Sequence, residues 1–368
     1  MLSKIWIKQF RNLEEIVLEV PAETNFFICG QNNQGKTNLL EAVYFLGNGK
    51  SPRHSDHITL INYDQTEAFI GADYEKSDSK RRLYLKITAD GKKSGVINNK
   101  GIKHLSALRR ELNIEYISAD VIRIFQEYPD FRRKDMDRFL SVFDSEYESL
   151  LRDYERVIKQ KNLVLKLGQA KQNTEIWNEK LVMLAVEIVD KRVAYLEAVG
   201  TVLAPFVKSI TGIPGKIDLL YLTKSLILPQ IDRITYETIL RGKLSDSIEK
   251  EYRVGYSLYG PHRDDFDIVI SDKPLFNFYS RGINRIVAML LKLSQLIMVD
   301  RAYQSFPILL LDDTFAEVDK SKKTDLMALL ERECRFFYTS VLPEDKDLFT
   351  GPVRDYQMEN GRLINGSH

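Results

Sequence analysis

The sequence predicts an α/β fold, a mixed sheet with helices, interrupted by an inserted and mainly α-helical lobe. Three observations predict it. An apolar strand at residues 25–29 runs straight into a glycine-bearing loop and then a helix. A run of four aliphatics at residues 308–311 ends in two acids, Asp312 and Asp313, as a central strand covered on both faces would. Between these, from about residue 132, the apolar residues switch to a helical period.

The elements follow in order. Residues 2–7 and 16–20 form two strands, separated by a polar break at residues 9–14. After the glycine-bearing loop, Leu39, Leu40, Val43 and Leu46 recur at helical spacing. Residues 68–98 favour short strands with charged turns, among them Asp90-Gly91 and Asn98-Asn99. Phe139, Phe143, Tyr147, Leu150, Tyr154, Val157 and Ile158 then make one amphipathic stripe. Past a break at residues 168–173, Trp177, Leu181, Leu184, Ile188 and Leu196 make a second, so two long helices lie back to back. Strand character returns at residues 217–222 and 252–258. A long apolar helix at 286–299, the aliphatic strand, another helix and a strand at 336–339 complete the chain. Three segments result: 1–131 and 246–368 as the two parts of one domain, and 132–245 as the helical lobe.

Bulk properties bound the function. A chain of 368 residues has room for two or three domains. Its 53 Lys and Arg against 52 Asp and Glu neither demand nor exclude nucleic acid, because a basic face can hide in a neutral total. Two cysteines, Cys29 and Cys334, rule out a disulfide framework and suit a reducing compartment. There is no signal-peptide pattern at Met1. No apolar run is expected to span a membrane, since the longest, 286–299, is interrupted by Lys292 and Gln295. A cytoplasmic protein without a membrane partner is the expectation.

The loop decides the class. Gly30-Gln31-Asn32-Asn33-Gln34-Gly35-Lys36-Thr37 fits the phosphate-binding pattern G-x-x-x-x-G-K-[ST] without a mismatch. Gly30 and Gly35 let the backbone curl so that N–H groups point at phosphates. The helix that follows adds its positive end. Lys36 supplies charge to the β- and γ-phosphates of a nucleotide, and Thr37 a hydroxyl to Mg²⁺. Asp312, at the carboxyl end of its strand, is placed to hold Mg²⁺, and Asp313 to face the attacking water. Either feature alone has a plain structural reading, a glycine turn or a strand ending in a polar turn; their pairing favours the site.

At this point the chain resembles a family. Phe10-Arg11-Asn12 after the first strand, the loop through Asn38 and Ala42, and Arg132-Arg133 with Asp137-Arg138-Phe139-Leu140 carry the likeness. So do Gly260-Pro261-His262-Arg263-Asp264-Asp265, Ser280-Arg281-Gly282-Ile283-Asn284-Arg285 and Ala316-Glu317-Val318-Asp319. The order is similar to that of ATP-binding-cassette heads, and among them to the RecF proteins of bacterial recombination repair. The resemblance implies a P-loop head of the ABC type. Two copies would close around two ATP molecules, and Ser280 and Gly282 of one copy would cap the γ-phosphate held by the other. Asp319 would lie across the same interface. It further implies slow Mg²⁺-dependent hydrolysis coupled to dimer dissociation, and action on duplex or gapped DNA with RecO and RecR.

The chain departs from that pattern at Ile283-Asn284, where RecF-like signatures carry Gln-Gln, and it has Asp313, as the RecF family typically does, where transporter-type heads carry Glu; slow turnover is expected from both features. Thr339-Ser340 occupy the place of the transporter heads' switch histidine. Gln126 is the positional candidate for a γ-phosphate-sensing glutamine, against the plainer reading of a surface residue. His262 reads as a structural histidine. Rival classes remain: a DNA clamp that senses ATP with little hydrolysis, and a non-repair ABC-type ATPase. Basic clusters at Lys80-Arg81-Arg82, Lys100 with Lys103, Arg109-Arg110 and Arg132-Arg133-Lys134 are candidate DNA contacts, each weighed against a merely solvated face. No aromatic platform for single strands stands out, so contacts to the phosphate backbone of duplex DNA are expected.

Overall fold

The computed structural model describes residues 1–366 apart from 54–56, 103–106, 169–170, 225, 228–231 and 316–317. Ala316-Glu317 of the acidic motif and Lys103 of the basic clusters therefore lie outside the described residues. The chain divides into two compact units, Met1–Ile122 with Arg281–His368, and Arg123–Ser280.

The first unit is built on two sheets. One contains β1 (Leu2–Phe10), β2 (Leu13–Glu19), β4 (Glu67–Lys76), β5 (Ser79–Thr88), β6 (Lys93–Ile97) and β7 (Lys100–Gly101), ordered β2-β1-β4-β5-β6-β7. All its pairings are antiparallel. The other contains β3 (Asn25–Cys29), β8 (Ile114–Ser118), β13 (Ile308–Asp312), β14 (Arg335–Ser340), β15 (Val353–Glu359) and β16 (Arg362–Asn365), ordered β16-β15-β3-β14-β13-β8. It is parallel except for the β15–β16 hairpin. Helix α1 (Lys36–Asn48) lies in the core between them. Leu39, Leu40 and Val43 share one apolar cluster with Ile5, Ile7, Ile70 and Leu85 of the first sheet and Phe26, Ile28 and Leu310 of the second. A helix covered from both sides presents no solvent stripe, so its start is held rigidly where β3 ends. Every residue of β13 is buried, as its aliphatic run requires. The unit also holds α2 (Leu108–Glu111), α10 (Arg281–Tyr303) and α11 (Lys320–Glu333), while α3 (Ala119–Glu127) crosses its boundary.

The second unit holds α4 (Pro129–Phe143), α5 (Ser145–Lys166), α6 (Lys171–Thr211), α7 (Arg233–Asp246), α8 (Ile248–Val254) and α9 (Leu275–Phe278). It also has a small sheet of β9 (Ile217–Thr223), β10 (Leu226–Ile227), β11 (Asp265–Ile270) and β12 (Lys273–Pro274). The expected lobe, residues 132–245, lies inside this unit.

Three details differ from expectation. The two long helices are preceded by a third, because Asp144 ends α4 and caps α5 by accepting from the Glu146 and Tyr147 N–H groups. Residues 252–258 are not a strand. They begin in α8, where Glu251 is fully buried, and Gly255 at φ 76° then ends the helix. Finally, two helices, Asn173–Thr211 and Arg281–Tyr303, are long and apolar enough by composition to cross a membrane. Of their most apolar windows, 33% and 83% respectively are buried inside the protein, so α10 is the buried helix expected at 286–299, at greater length.

Candidate functional site

Main-chain geometry builds the loop. Gly35 has φ 113°, a conformation that favours glycine, and stands at the N-cap of α1 without any side-chain cap. The first N–H groups of α1 are thus left open to an anion, with the helix's positive end behind them. Gln31, Asn32 and Asn33 are exposed, and Asn33 has φ 64°. Lys36 is buried, and its Nζ donates to the Gly30 and Gln31 carbonyls at 2.6 and 3.0 Å. Its charge is held across the loop mouth by carbonyl dipoles, which a phosphate would outcompete.

Asp312 ends β13 beside this loop. The Thr37 hydroxyl donates to its Oδ1 at 3.2 Å. Thr339 donates to the same oxygen at 2.6 Å, and the Tyr116 hydroxyl to Oδ2 at 2.7 Å. The two neighbouring strands β14 and β8 therefore orient the carboxylate. Burial, then the Asp312 charge, raises the Tyr116 hydroxyl pKa and keeps it a donor. A hydroxyl and a carboxylate oxygen side by side, next to the open helix end, are hard oxygen donors of the kind Mg²⁺ takes. Among the described residues no group of three or more His, Cys, Asp or Glu offers a closed metal cage. Asp313 follows at φ 48° and is exposed. Partial desolvation, then the Asp312 charge, raises its carboxyl above the ordinary value.

The Phe10-Arg11-Asn12 turn buttresses this arrangement. Phe10 is in the core. Arg11 grips Glu41 of α1 through two bonds of 3.0 Å, and Arg53 and Ser51 also bond Glu41. Burial alone would raise the Glu41 carboxyl, but these three partners overcome it and hold it below its ordinary value. Asn12 accepts from Asn38 at 2.8 Å. Glu41 and Tyr116 were not foreseen from sequence. The one available signal was an acid, Glu41, inside the apolar stripe Leu39, Leu40, Ala42 and Val43.

The remaining expected residues lie apart from the loop in sequence. Asp319 is exposed at the N-cap of α11. Gly282, Ile283 and Asn284 lie in the first turn of α10, with Ile283 and Asn284 buried and Asn284 Oδ1 without a hydrogen-bond partner among the described residues. Ser280 is the last residue of the second unit. Gln126, in α3, is half-buried and accepts from Arg132 through its main-chain carbonyl at 2.7 Å. His262 pairs its Nδ1 with the Tyr154 hydroxyl at 2.7 Å, and burial pushes it down to about 3, so it stays neutral.

Most arginines of the basic clusters have partners within the fold. Arg81 pairs with Glu111 at 2.7 Å, Arg82 with Asp73 at 2.7 Å and Arg132 with Asp265 at 2.6 Å. Arg133 bonds Asp130 and the Asp264 carbonyl. Lys80, Lys100 and Lys134 are exposed.

The chain is similar to known proteins in sequence and in fold. The family described as RecF/RecN/SMC N terminal domain matches residues 1–345. Two curated relatives are each a DNA replication and repair protein RecF. That of Geotalea uraniireducens (strain Rf4) is 32% identical over 344 residues, covering 92% of this chain and 92% of its own. That of Staphylococcus carnosus (strain TM300) is 32% identical over 369 residues, covering 99% of each. A solved structure of the recombination mediator protein RecF-ATPrS in the RecFOR pathway matches with a TM-score of 0.85 at 27% identity, covering 100% of this chain and 98% of that one. An Smc head domain derived from Pyrococcus furiosus shares the fold alone, with a TM-score of 0.56 at 14% identity.

Proposed function

The chain belongs to the RecF family, and from that premise we propose that it is an ATP-gated homodimeric DNA clamp with slow hydrolysis. The observation that carries the reading is the meeting of Thr37 and Asp312, 275 positions apart, at 3.2 Å beside the uncapped start of α1.

The loop residues Gly30, Gln31, Asn32, Asn33, Gln34 and Gly35 wrap the phosphates, and Asn38 steadies the loop through Asn12. Lys36 leaves its two carbonyl partners for the β- and γ-phosphates. Thr37 and Asp312 would hold Mg²⁺, which when bound would neutralise phosphate charge. Asp313 orients the attacking water and takes its proton. Ser280 and Gly282 of a second copy cap the γ-phosphate, and Asp319 crosses the same isologous interface.

Turnover is slow for two local reasons. Thr339 and Ser340, where transporter heads keep a histidine, are engaged by Asp312 and Asp345 at 2.6 Å each. Ile283 adds no polar group to the signature. The ATP state therefore persists long enough to act as a switch. The clamp binds duplex or gapped DNA through the phosphate backbone in the cytoplasm, and works with RecO and RecR in recombinational repair.

Sizing the protein with and without Mg-ATP, in the presence and absence of duplex DNA, tests the reading. Wild type is expected to double its mass only with ATP. Ser280→Arg stays monomeric while still binding ATP; dimerisation of that variant refutes capping by the second copy.

A further inference from the structure

Residues 353–365 lie beyond the stretch matched by the family and contain none of the motifs above. They form β15 and β16, joined by a turn at Asn360 and Gly361. This hairpin meets the phosphate loop at both ends.

At the first end, a Cβ on Gly30 would stand 2.6 Å from the Met358 carbonyl oxygen. Glycine alone allows β15 to approach the point where the loop leaves β3. At the other end, Gln34 is held by the turn. The Gly361 N–H donates to the Gln34 carbonyl at 2.8 Å, and the Asn360 N–H donates to Gln34 Oε1 at 2.7 Å. Asn12 adds a bond to the same carbonyl at 3.3 Å. Asn360 and Gly361 have φ of 47° and 77°. A Cβ on Gly361 would stand 2.2 Å from the Asn12 carbonyl oxygen, so a side chain there must displace the turn. Gln34 immediately precedes Gly35, the residue that opens α1.

We propose that the β15–β16 hairpin is the positioning element of the phosphate loop, presetting its curl through Gln34 and Gly30 before nucleotide arrives. The proposal rests on the reading of residues 30–37 as the ATP loop. A floppy loop would lose conformational entropy on closing around phosphate. A loop already shaped loses less and binds more tightly. The donors are main-chain N–H groups of a hairpin, which is why no side-chain motif in the sequence marks them.

Two variants test it, Gly361→Val, which displaces the turn, and Gln34→Met, which removes only the side-chain acceptor and so guards against misfolding of the first. The measurements are backbone order parameters of the nucleotide-free protein by NMR and the dissociation constant for Mg-ATP. In wild type, residues 31–35 are expected to be rigid, with order parameters near ~0.85, falling below ~0.6 in the variants while β13 and β14 stay rigid. ATP affinity falls by about tenfold, the scale of one lost hydrogen bond. Unchanged loop order in both variants overturns the proposal, as does equal loosening of β13 and β14, which would make the hairpin a support of the whole sheet. If wild type binds no ATP, the ATP reading fails, and the order parameters still judge the hairpin.

Discussion

The two units treat polar residues in opposite ways. In the first, Lys36, Thr37 and Asp312 converge on the open end of a helix, and their bonds are ones a ligand can replace. In the second, motif residues close on one another. Arg192 donates to both oxygens of Asp137 at 2.9 Å and to the Pro261 carbonyl at 2.7 Å. Tyr221 and Tyr236 donate to Asp264 at 3.1 and 3.0 Å, and Arg132 pairs with Asp265. Asp137 and the segment from Gly260 to Asp265 thus form one buried network that ties α4, α6, α7, β9 and β11 together. The lesson is that a polar motif marks a site when its bonds are ones a ligand can replace, and a tie when its donors end on the carboxylates and carbonyls of other elements.

The sharpest way to break this contrast is at Lys36. Lys36→Met is expected to abolish ATP binding and ATP-dependent dimerisation while leaving the urea unfolding midpoint near that of wild type. Titration with labelled ATP and sizing with Mg-ATP check both halves. A variant that unfolds instead would place Lys36 among the ties. The reverse experiment is Arg192→Met. Removing the buried guanidinium leaves the partly buried Asp137 carboxylate with the Tyr147 hydroxyl as its remaining donor among the described residues, so stability should fall by about 2–3 kcal/mol, the scale of lost hydrogen bonds to a charged group. Urea denaturation measures that loss, and the folded fraction should still bind ATP. Loss of binding without loss of stability would erase the distinction between the two regions.

How much of this was legible in the sequence depends on how local the cause is. The strand at residues 25–29, its loop and the helix after it follow from neighbouring residues, and β3 and α1 begin and end close to where the pattern puts them. The aliphatic strand before Asp312 was equally readable, because four buried aliphatics have few other places to go. Residues 252–258 misled because Tyr252, Val254, Tyr256 and Leu258 alternate like a strand. What decides their structure is Glu251, fully buried against Lys161 at 2.8 Å, a contact from 90 residues away in the chain. Charge clusters were ambiguous for the same reason. Arg81, Arg82 and Arg132 look free in sequence, and acids 30, 9 and 133 positions away, on other elements, pair with them. Tyr116 on Asp312 and the hairpin on Gln34 are long-range as well, and no spacing announces them.

The smallest expected effect sharpens the contrast through pH. Burial lowers His262 from its ordinary 6.5 to about 3, and burial raises Asp264 from 3.8 to about 6. As pH falls below 6.5 the unfolded chain protonates its histidine while the fold cannot until about 3, so this group's stability is present above 6.5 and lost on acidification. Asp264 acts the other way: below about 6 the fold takes up a proton that the unfolded chain takes up only near 3.8, so stability grows on acidification. Between these limits the two slopes oppose, and wild-type stability should change little between pH 7 and 5. His262→Gln leaves the Asp264 slope exposed, and the variant should gain about 1–2 kcal/mol relative to wild type over that range. Asp264→Asn should make acidification more damaging by a similar amount. Urea midpoints at successive pH values read both slopes. If neither variant departs from wild type, these two groups are more hydrated than the network of the second unit implies. Its closure, on which the contrast with the ATP loop depends, would then be incomplete.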